Sequence, residues 1–190
     1  MSKMNVRQLT LDAMLAAMCA VLGFIAIDMQ SLKITFEGFP VLVGALIFGP
    51  LDGFMVGFVG TFVYQLLRYG FTATTLIWVL PYALSGLIVG FVAKRFNFDM
   101  NKKEILITVM INELVVLLIN TVGIYIDSKI YGYYHPAIIT GMLLPRIGIA
   151  VAKGLAYSAI IPPLLTPLCK LVHRNRRKRP VPAAEPKETK

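Results

Sequence analysis

The sequence predicts an all-α membrane protein with six transmembrane helices and with both termini on the cytoplasmic side. Hydrophobic residues make up 57% of the 190-residue chain and charged residues only 15%, whereas a soluble domain carries about a quarter charged residues. The apolar residues occur in six runs separated by short polar segments. The basic residues collect at alternate ends of these runs. Together these observations indicate a chain whose main solvent is lipid.

The six apolar runs cover residues 9–29, 39–48, 51–67, 76–93, 105–126 and 143–172. A helix needs about 20 apolar residues, with a range of about 17–25, to cross a bilayer. The run at 39–48 is too short. We expect it to extend outward through residues 34–37, or to be tilted or buried by its neighbours. We also expect Pro81 to kink the fourth helix, and Pro162, Pro163 and Pro167 to break the inner end of the sixth.

Basic residues set the predicted orientation. The connection between the fourth and fifth runs contains Lys94, Arg95, Lys102 and Lys103, and the positive-inside rule places such a connection in the cytoplasm. The net charge of +9 therefore reflects topology, and we expect no nucleic-acid partner. Residues 1–172 are predicted to form one six-helix transmembrane domain. Residues 173–190 are predicted to form a basic, disordered cytoplasmic tail that contacts anionic membrane lipid.

Polar side chains recur in the outer half and the middle of four predicted helices. Such groups are costly in a bilayer and usually face a cavity or one another. Cations, amides and aromatic rings together suit a planar or polar metabolite that carries a carboxylate. The candidate substrate-binding residues are Tyr64, Gln65, Arg68, Trp78, Tyr82, Asn112, Glu113, Asn120, Arg146, Lys153 and Tyr157.

Each charged candidate also has a purely structural interpretation. Glu113 could simply pair with Lys153 or Arg146 to neutralise buried charge. Arg68 could extend to the membrane interface without touching a ligand. The sequence alone leaves these alternatives open.

The two longest outer segments, residues 30–38 and 127–141, are rich in charged and aromatic residues. Lys33, Tyr133 and His135 are the candidate gating residues of a lid over a pocket that opens outward. The alternative is an ordinary aromatic belt at the membrane interface.

The first helix carries Ala13, Ala16, Ala17 and Ala20. The overlapping pairs at four-residue spacing let another helix approach closely. We expect them to bind a partner helix in the inner half of the membrane. Packing within the chain's own bundle is the alternative.

The sequence lacks the residue patterns of nucleotide hydrolysis, of serine-type catalysis and of metal binding. The sequence contains no Walker A pattern, no Ser/His/Asp set and no metal-ligand spacing, so we expect no enzyme activity, no cofactor and no metal. The two cysteines, Cys19 and Cys169, lie in apolar segments and are interpreted as small buried hydrophobic residues.

Residues 32–40 and 44–53 carry a family resemblance. The second stretch reads Gly-x-x-x-Phe-Gly-Pro-x-x-Gly, and residues 84–90 and the four alanines of the first helix fit the same pattern. In these features the chain resembles the S components of energy-coupling-factor vitamin transporters over residues 7–172, and the folate-type group most. Residues 69–75 read Tyr-Gly-Phe-Thr-Ala-Thr-Thr where that group is expected to have Pro-Gly-Phe-Thr, so pantothenate and other vitamins stay open.

The resemblance implies an outward-facing vitamin pocket, and partners consisting of a transmembrane coupling subunit and two cytoplasmic ATPases. It also implies the plasma membrane of a prokaryote. Two other classes remain as alternatives. One is a proton-coupled secondary transporter that uses Glu113, although internal repeats are absent. The other is a small membrane enzyme acting on a lipid head group.

Overall fold

The structure is a computed structural model that describes residues 6–29 and 32–176. Its helices are α1 (Val6–Phe24), α2 (Gly38–Phe48), α3 (Pro50–Tyr69), α4 (Thr75–Arg95), α5 (Lys102–Ile130) and α6 (Pro136–Arg176). Two short strands, β1 (Ile27–Met29) and β2 (Leu32–Ile34), pair antiparallel between α1 and α2 with Ile27 opposite Ile34. The all-α class is thus confirmed, with one hairpin as the β structure of the described residues.

Among the residues that the structure describes, four helical segments are long and apolar enough to cross a membrane: Pro50–Tyr69, Thr75–Arg95, Lys102–Ile130 and Leu143–Leu165. The apolar parts of α1 and α2, Gln8–Phe24 and Gly38–Phe48, are shorter. Helix α2 lies in the centre of the bundle against α1, α3, α4 and α6. Its residues from Pro40 to Ile47 are buried. The prediction that neighbours bury this short run is therefore confirmed.

Two sequence-based expectations beside the β hairpin were wrong. Helix α1 ends at Phe24 rather than at residue 29, because residues 27–29 pair with β2. Helix α2 begins at Gly38 and does not extend through residues 34–37, because Ile34 belongs to β2 and residues 35–37 are not helical. An apolar run does not by itself distinguish strand from helix.

Helix α6 begins at Pro136, seven residues before the predicted start, and continues through Pro145, Pro162, Pro163 and Pro167. The predicted break at its inner end is therefore wrong. A proline removes one backbone donor, and neighbouring helices and local adjustment can compensate for it inside a membrane bundle. At a rise of about 1.5 Å per residue, its 41 residues span about 60 Å, twice the thickness of the hydrocarbon layer of about 30 Å. Its ends therefore extend beyond the lipid core.

Close contact between α3 and α4 depends on glycine. A Cβ atom on Gly86 would lie 2.1 Å from the carbonyl oxygen of Gly53, and one on Gly57 would lie 2.5 Å from the carbonyl oxygen of Tyr82. Side chains at these positions would force the helices apart. This packing holds the aromatic residues of α3 and α4 beside one another at the opposite end of the bundle from the basic α4–α5 connection.

Candidate functional site

A cavity of about 590 Å³ lies between α3, α4, α5 and α6, next to the segment that leads from β2 into α2. Nine of the residues singled out from the sequence line it: Tyr64, Gln65, Trp78, Tyr82, Glu113, Asn120, Tyr133, Arg146 and Lys153. Clefts of about 300–1,000 Å³ with aromatic walls and a few polar groups are typical of small-molecule sites. Most of these nine lining residues were therefore predicted from the helical spacing of the polar side chains.

An ion pair crosses from α5 to α6 in the cavity wall. Lys153 Nζ lies 3.1 Å from Glu113 Oε2, and the two side chains are 12% and 4% exposed. The Lys153 ammonium also lies 5.7 Å from the centre of the Tyr157 ring. The interpretation that Glu113 pairs with a buried cation is therefore correct, and its partner is Lys153. Both residues also line the cavity.

The segment before α2 supplies two polar residues to the cavity, Thr35 and Glu37. The Thr35 hydroxyl lies 2.8 Å from the Tyr82 hydroxyl, which fixes the Tyr82 ring. Glu37 is 2% exposed. A Cβ atom on Gly23 would lie 3.1 Å from Glu37 Cγ, so the Glu37 side chain packs against α1. Neither residue was among the sequence candidates.

Asp127 connects two aromatic residues at the rim of the cavity. The Trp78 indole N–H donates to Asp127 Oδ1 at 3.3 Å, and the Tyr133 hydroxyl donates to Asp127 Oδ2. The Tyr133 amide donates to the Ser128 carbonyl at 3.1 Å. Partial burial and the neighbouring Asp127 carboxylate raise the pKa of Tyr133 to about 12. The short α5–α6 loop is thereby held against the end of α5.

Arg146 lies on α6, two helical turns before Lys153, and lines the cavity. Its Nη1 atom is buried and has no hydrogen-bond partner within residues 6–29 and 32–176. A buried guanidinium donor without an acceptor is costly. A carboxylate on a bound molecule could accept from it through two parallel bonds.

Four of the sequence candidates lie outside the cavity lining. Arg68 is exposed at the end of α3, 5.8 Å from the centre of the Tyr69 ring. Asn112 and Tyr157 are 2% and 3% exposed within the bundle, and His135 is exposed. The side chain of Lys33 lies outside the described part of the chain. Periodicity placed Arg68, Asn112 and Tyr157 on polar helix faces but could not give their depth.

The alanines of α1 divide into two pairs. Ala16 and Ala20 are 6% and 7% exposed, and Ala16 packs beside Gly60 of α3. Ala13 and Ala17 are exposed. The first pair therefore packs within the bundle, and the second lies on its surface.

The family model for the substrate-specific component of ECF transporters matches residues 7–168. Two solved structures have the same fold. One is the S component of a bacterial ECF transporter, at 22% identity and a TM-score of 0.60, covering 91% of this chain and 98% of that one. The other is FolT bound with folic acid, at 22% identity and a TM-score of 0.64, covering 85% and 96%.

A shorter similarity links the chain to UPF0397 proteins of two Streptococcus thermophilus strains, ATCC BAA-491 / LMD-9 and CNRZ 1066. Each is 31% identical over 68 residues, which is 36% of this chain. The match spans about a third of the length of these curated relatives, 36%. With four helices able to cross a membrane and a family match over most of its length, this multi-pass membrane protein belongs to the family of ECF transporter substrate-specific components and is a transporter component rather than an enzyme.

Proposed function

We propose that this chain captures a water-soluble vitamin from the outer side of a prokaryotic plasma membrane and delivers it to the cytoplasm. A folate-type vitamin is the leading candidate. The observation that carries the proposal is the 590 Å³ cavity, with aromatic rings on its walls and the buried Arg146 donor beside them. The rings offer stacking surfaces for a planar vitamin. The guanidinium offers a binding group for its acid.

The proposed topology has six spanning helices with both ends cytoplasmic. The basic residues Lys94, Arg95 and Lys102 lie at the α4–α5 connection, and the cavity lies toward the α5–α6 loop at the other end of α5. The positive-inside rule then directs the cavity outward. Helix α6 extends to Arg176. The tail predicted over residues 173–190 otherwise lies outside the described residues.

The energy for transport would come from partners, a transmembrane coupling subunit and two cytoplasmic ATPases. Ala13 and Ala17 lie on the surface of α1, four residues apart, with room for a partner helix to approach. This exposed pair is the proposed contact for the coupling subunit. Ala16 and Ala20 face the interior of the bundle and pack α1 against the chain's own helices.

Pantothenate or another vitamin remains an alternative ligand for the same role. The proton-coupled alternative is weaker, because Glu113 is already paired with Lys153 at 3.1 Å. The ion pair accounts for this buried carboxylate without any role in proton transfer.

Native mass spectrometry of the purified protein with a mixed panel of B vitamins tests the binding role. Retention of one vitamin, and its loss in Arg146→Gln but not in Lys129→Gln, is the expected result. Lys129 is a matched control because it is an exposed cation outside the cavity lining. If no vitamin is retained and no coupling subunit copurifies from a strain that expresses the whole complex, the proposal is wrong.

A further inference from the structure

Two aspartates from different helices meet at the end of the bundle opposite the cavity. Asp12 belongs to α1 and Asp52 to the first turn of α3, and their carboxyl groups are hydrogen-bonded to each other. The side-chain amide of Gln8, one turn before Asp12 on α1, donates to Asp52 Oδ2 at 2.9 Å. The cavity adjoins the other end of α3, at Tyr64. The aspartate pair therefore forms a separate site.

This site lies beside the basic α4–α5 connection. A Cβ atom on Gly49, immediately before α3, would lie 3.5 Å from the Phe98 ring in that connection. In the proposed topology this end of the bundle faces the cytoplasm. Close packing of α1 on α3 holds the two aspartates together, because a Cβ atom on Gly60 would lie 2.8 Å from the carbonyl oxygen of Ala16.

Asp52 has an ordinary structural explanation, whereas Asp12 has none. An acid in the first turn of a helix is stabilised by the helix dipole, and Asp52 also accepts from Gln8. Asp12 is 7% exposed inside the apolar segment Gln8–Phe24, and its buried Oδ1 has no hydrogen-bond partner in the described part of the chain. No lysine or arginine whose side chain the structure describes forms an ion pair with either aspartate. Such groups are costly in an apolar helix and usually serve a function.

The pair presents acceptors to a positively charged donor. Two carboxyl groups joined by a hydrogen bond hold one proton between them, so the pair keeps one negative charge, and Asp12 keeps an unused acceptor. A guanidinium or ammonium group could take the place of that proton and donate to both aspartates. Asp52 is only half-buried, so a side chain can reach the pair from outside the bundle.

The exposed alanines of α1 adjoin the pair. Ala13 follows Asp12 in the sequence and is exposed, as is Ala17 one turn later. A helix of the coupling subunit that packs on these two alanines must therefore pass close to the aspartates. Because this chain supplies unused acceptors there, the complementary group on the partner is a cation.

We propose that the coupling subunit places an arginine or lysine side chain between α1 and α3, where it binds Asp12 and Asp52. This inference rests on the proposed coupling to a transmembrane subunit, and it adds an ionic contact to the helix packing at Ala13 and Ala17. The proton that the pair shared passes to water as the cation binds, which leaves two carboxylates and one cation at the site.

The dissociation rate of the assembled complex tests this contact. Fluorescently labelled chain is released from the purified complex in the presence of excess unlabelled chain. Asp12→Asn and Asp52→Asn should each speed up release by about ten- to a hundredfold, the range for a hydrogen bond to a charged group. Asp99→Asn is the matched control, because Asp99 is an exposed acid in the α4–α5 connection at the same end of the bundle. It should dissociate at the wild-type rate.

Thermal unfolding of the isolated chain and its vitamin affinity separate assembly from folding. Both asparagine variants should keep the wild-type vitamin affinity and should not unfold at a lower temperature than wild type. Release at the wild-type rate, or a loss of stability without faster release, would overturn the inference and leave coupling through the alanines standing. If the wild-type chain itself does not copurify with the coupling subunit, the proposed function fails instead.

Charge reversal identifies the residue on the partner. Asp52→Lys, at a half-buried position, should prevent copurification by repulsion between like charges. Replacing one arginine or lysine of the coupling subunit by glutamate should restore copurification, which could not happen if Asp52→Lys had simply failed to fold. If no single replacement among the basic residues of the coupling subunit restores it, the proposed ionic contact is wrong.

Discussion

The contribution of the Glu113–Lys153 ion pair to the stability of the protein can be measured directly. At 3.1 Å, Coulomb's law with an effective dielectric constant of about 20 gives an attraction of about 5 kcal/mol. Desolvation of both groups offsets much of this energy. Removing one partner instead leaves a buried uncompensated charge. We therefore expect Lys153→Met to lower the free energy of unfolding by about 3–5 kcal/mol.

The double variant, Glu113→Gln with Lys153→Met, separates the interaction energy of the pair from the effect of removing each charge alone. Replacing both charges with neutral side chains of similar volume should recover most of the loss, to within about 1–2 kcal/mol of wild type. The resulting coupling energy between the two sites is expected to be at least about 2 kcal/mol. Titration with denaturing detergent in mixed micelles, followed by circular dichroism, measures these differences for the wild type and the three variants.

Additive losses in the two single variants would refute the reasoning, because they would mean that neither charge depends on the other. Single variants as stable as wild type would show that water reaches the pair and screens it. Ligand affinity gives a second readout. It should fall less in the double variant than in Arg146→Gln, since the Lys153 charge is already matched inside the protein.

Three further predictions concern other contacts. Ala17→Trp should spare vitamin binding and prevent copurification of the coupling subunit, whereas Ala16→Trp, at a buried position, should destabilise the protein itself. Gly86→Ala should cost about 1–3 kcal/mol by overpacking, because its Cβ would lie 2.1 Å from a carbonyl oxygen of α3. Gly141→Ala meets nothing within 4 Å and lies inside α6, so it should not destabilise the protein and should gain up to about 1 kcal/mol. Ultraviolet titration against Tyr133→Phe should show Tyr133 ionising near pH 12. Since this pKa is raised from 10.0 to about 12, the rim contact is fully present below about pH 10 and is lost as the pH rises through 12.

The sequence predicted the membrane class because that class depends on composition and on the lengths of the apolar runs. It predicted the family through the resemblance of residues 32–40 and 44–53. Lipid imposes a simple length requirement on each apolar run, so α3, α4 and α5 were placed nearly correctly. Polar residues at helical spacing had to face a cavity or one another. For that reason Tyr64, Trp78 and Tyr82 were found without any structure.

The same reasoning failed where depth and pairing decide the outcome. Periodicity gives a direction around a helix axis but not the position of a neighbouring helix, so it could not separate Glu113, which lines the cavity, from the adjacent Asn112, which does not. It also could not show that residues 27–29 form a strand. Asp127 was missed because it was assigned to a loop, whereas it lies in the last turn of α5.

The short apolar run and the buried Glu37 have a common physical explanation. With 11 residues, α2 is about 16 Å long and cannot cross a hydrocarbon layer of about 30 Å. The chain must therefore enter the membrane region as irregular backbone before Gly38, and such backbone is tolerated at that depth only where protein buries it or a cavity adjoins it. Thr35 and Glu37 both line the cavity. The shortness of α2 thus brings a carboxylate from the connection after β2 to the wall of the cavity, where a longer helix would have left it at the end of the bundle.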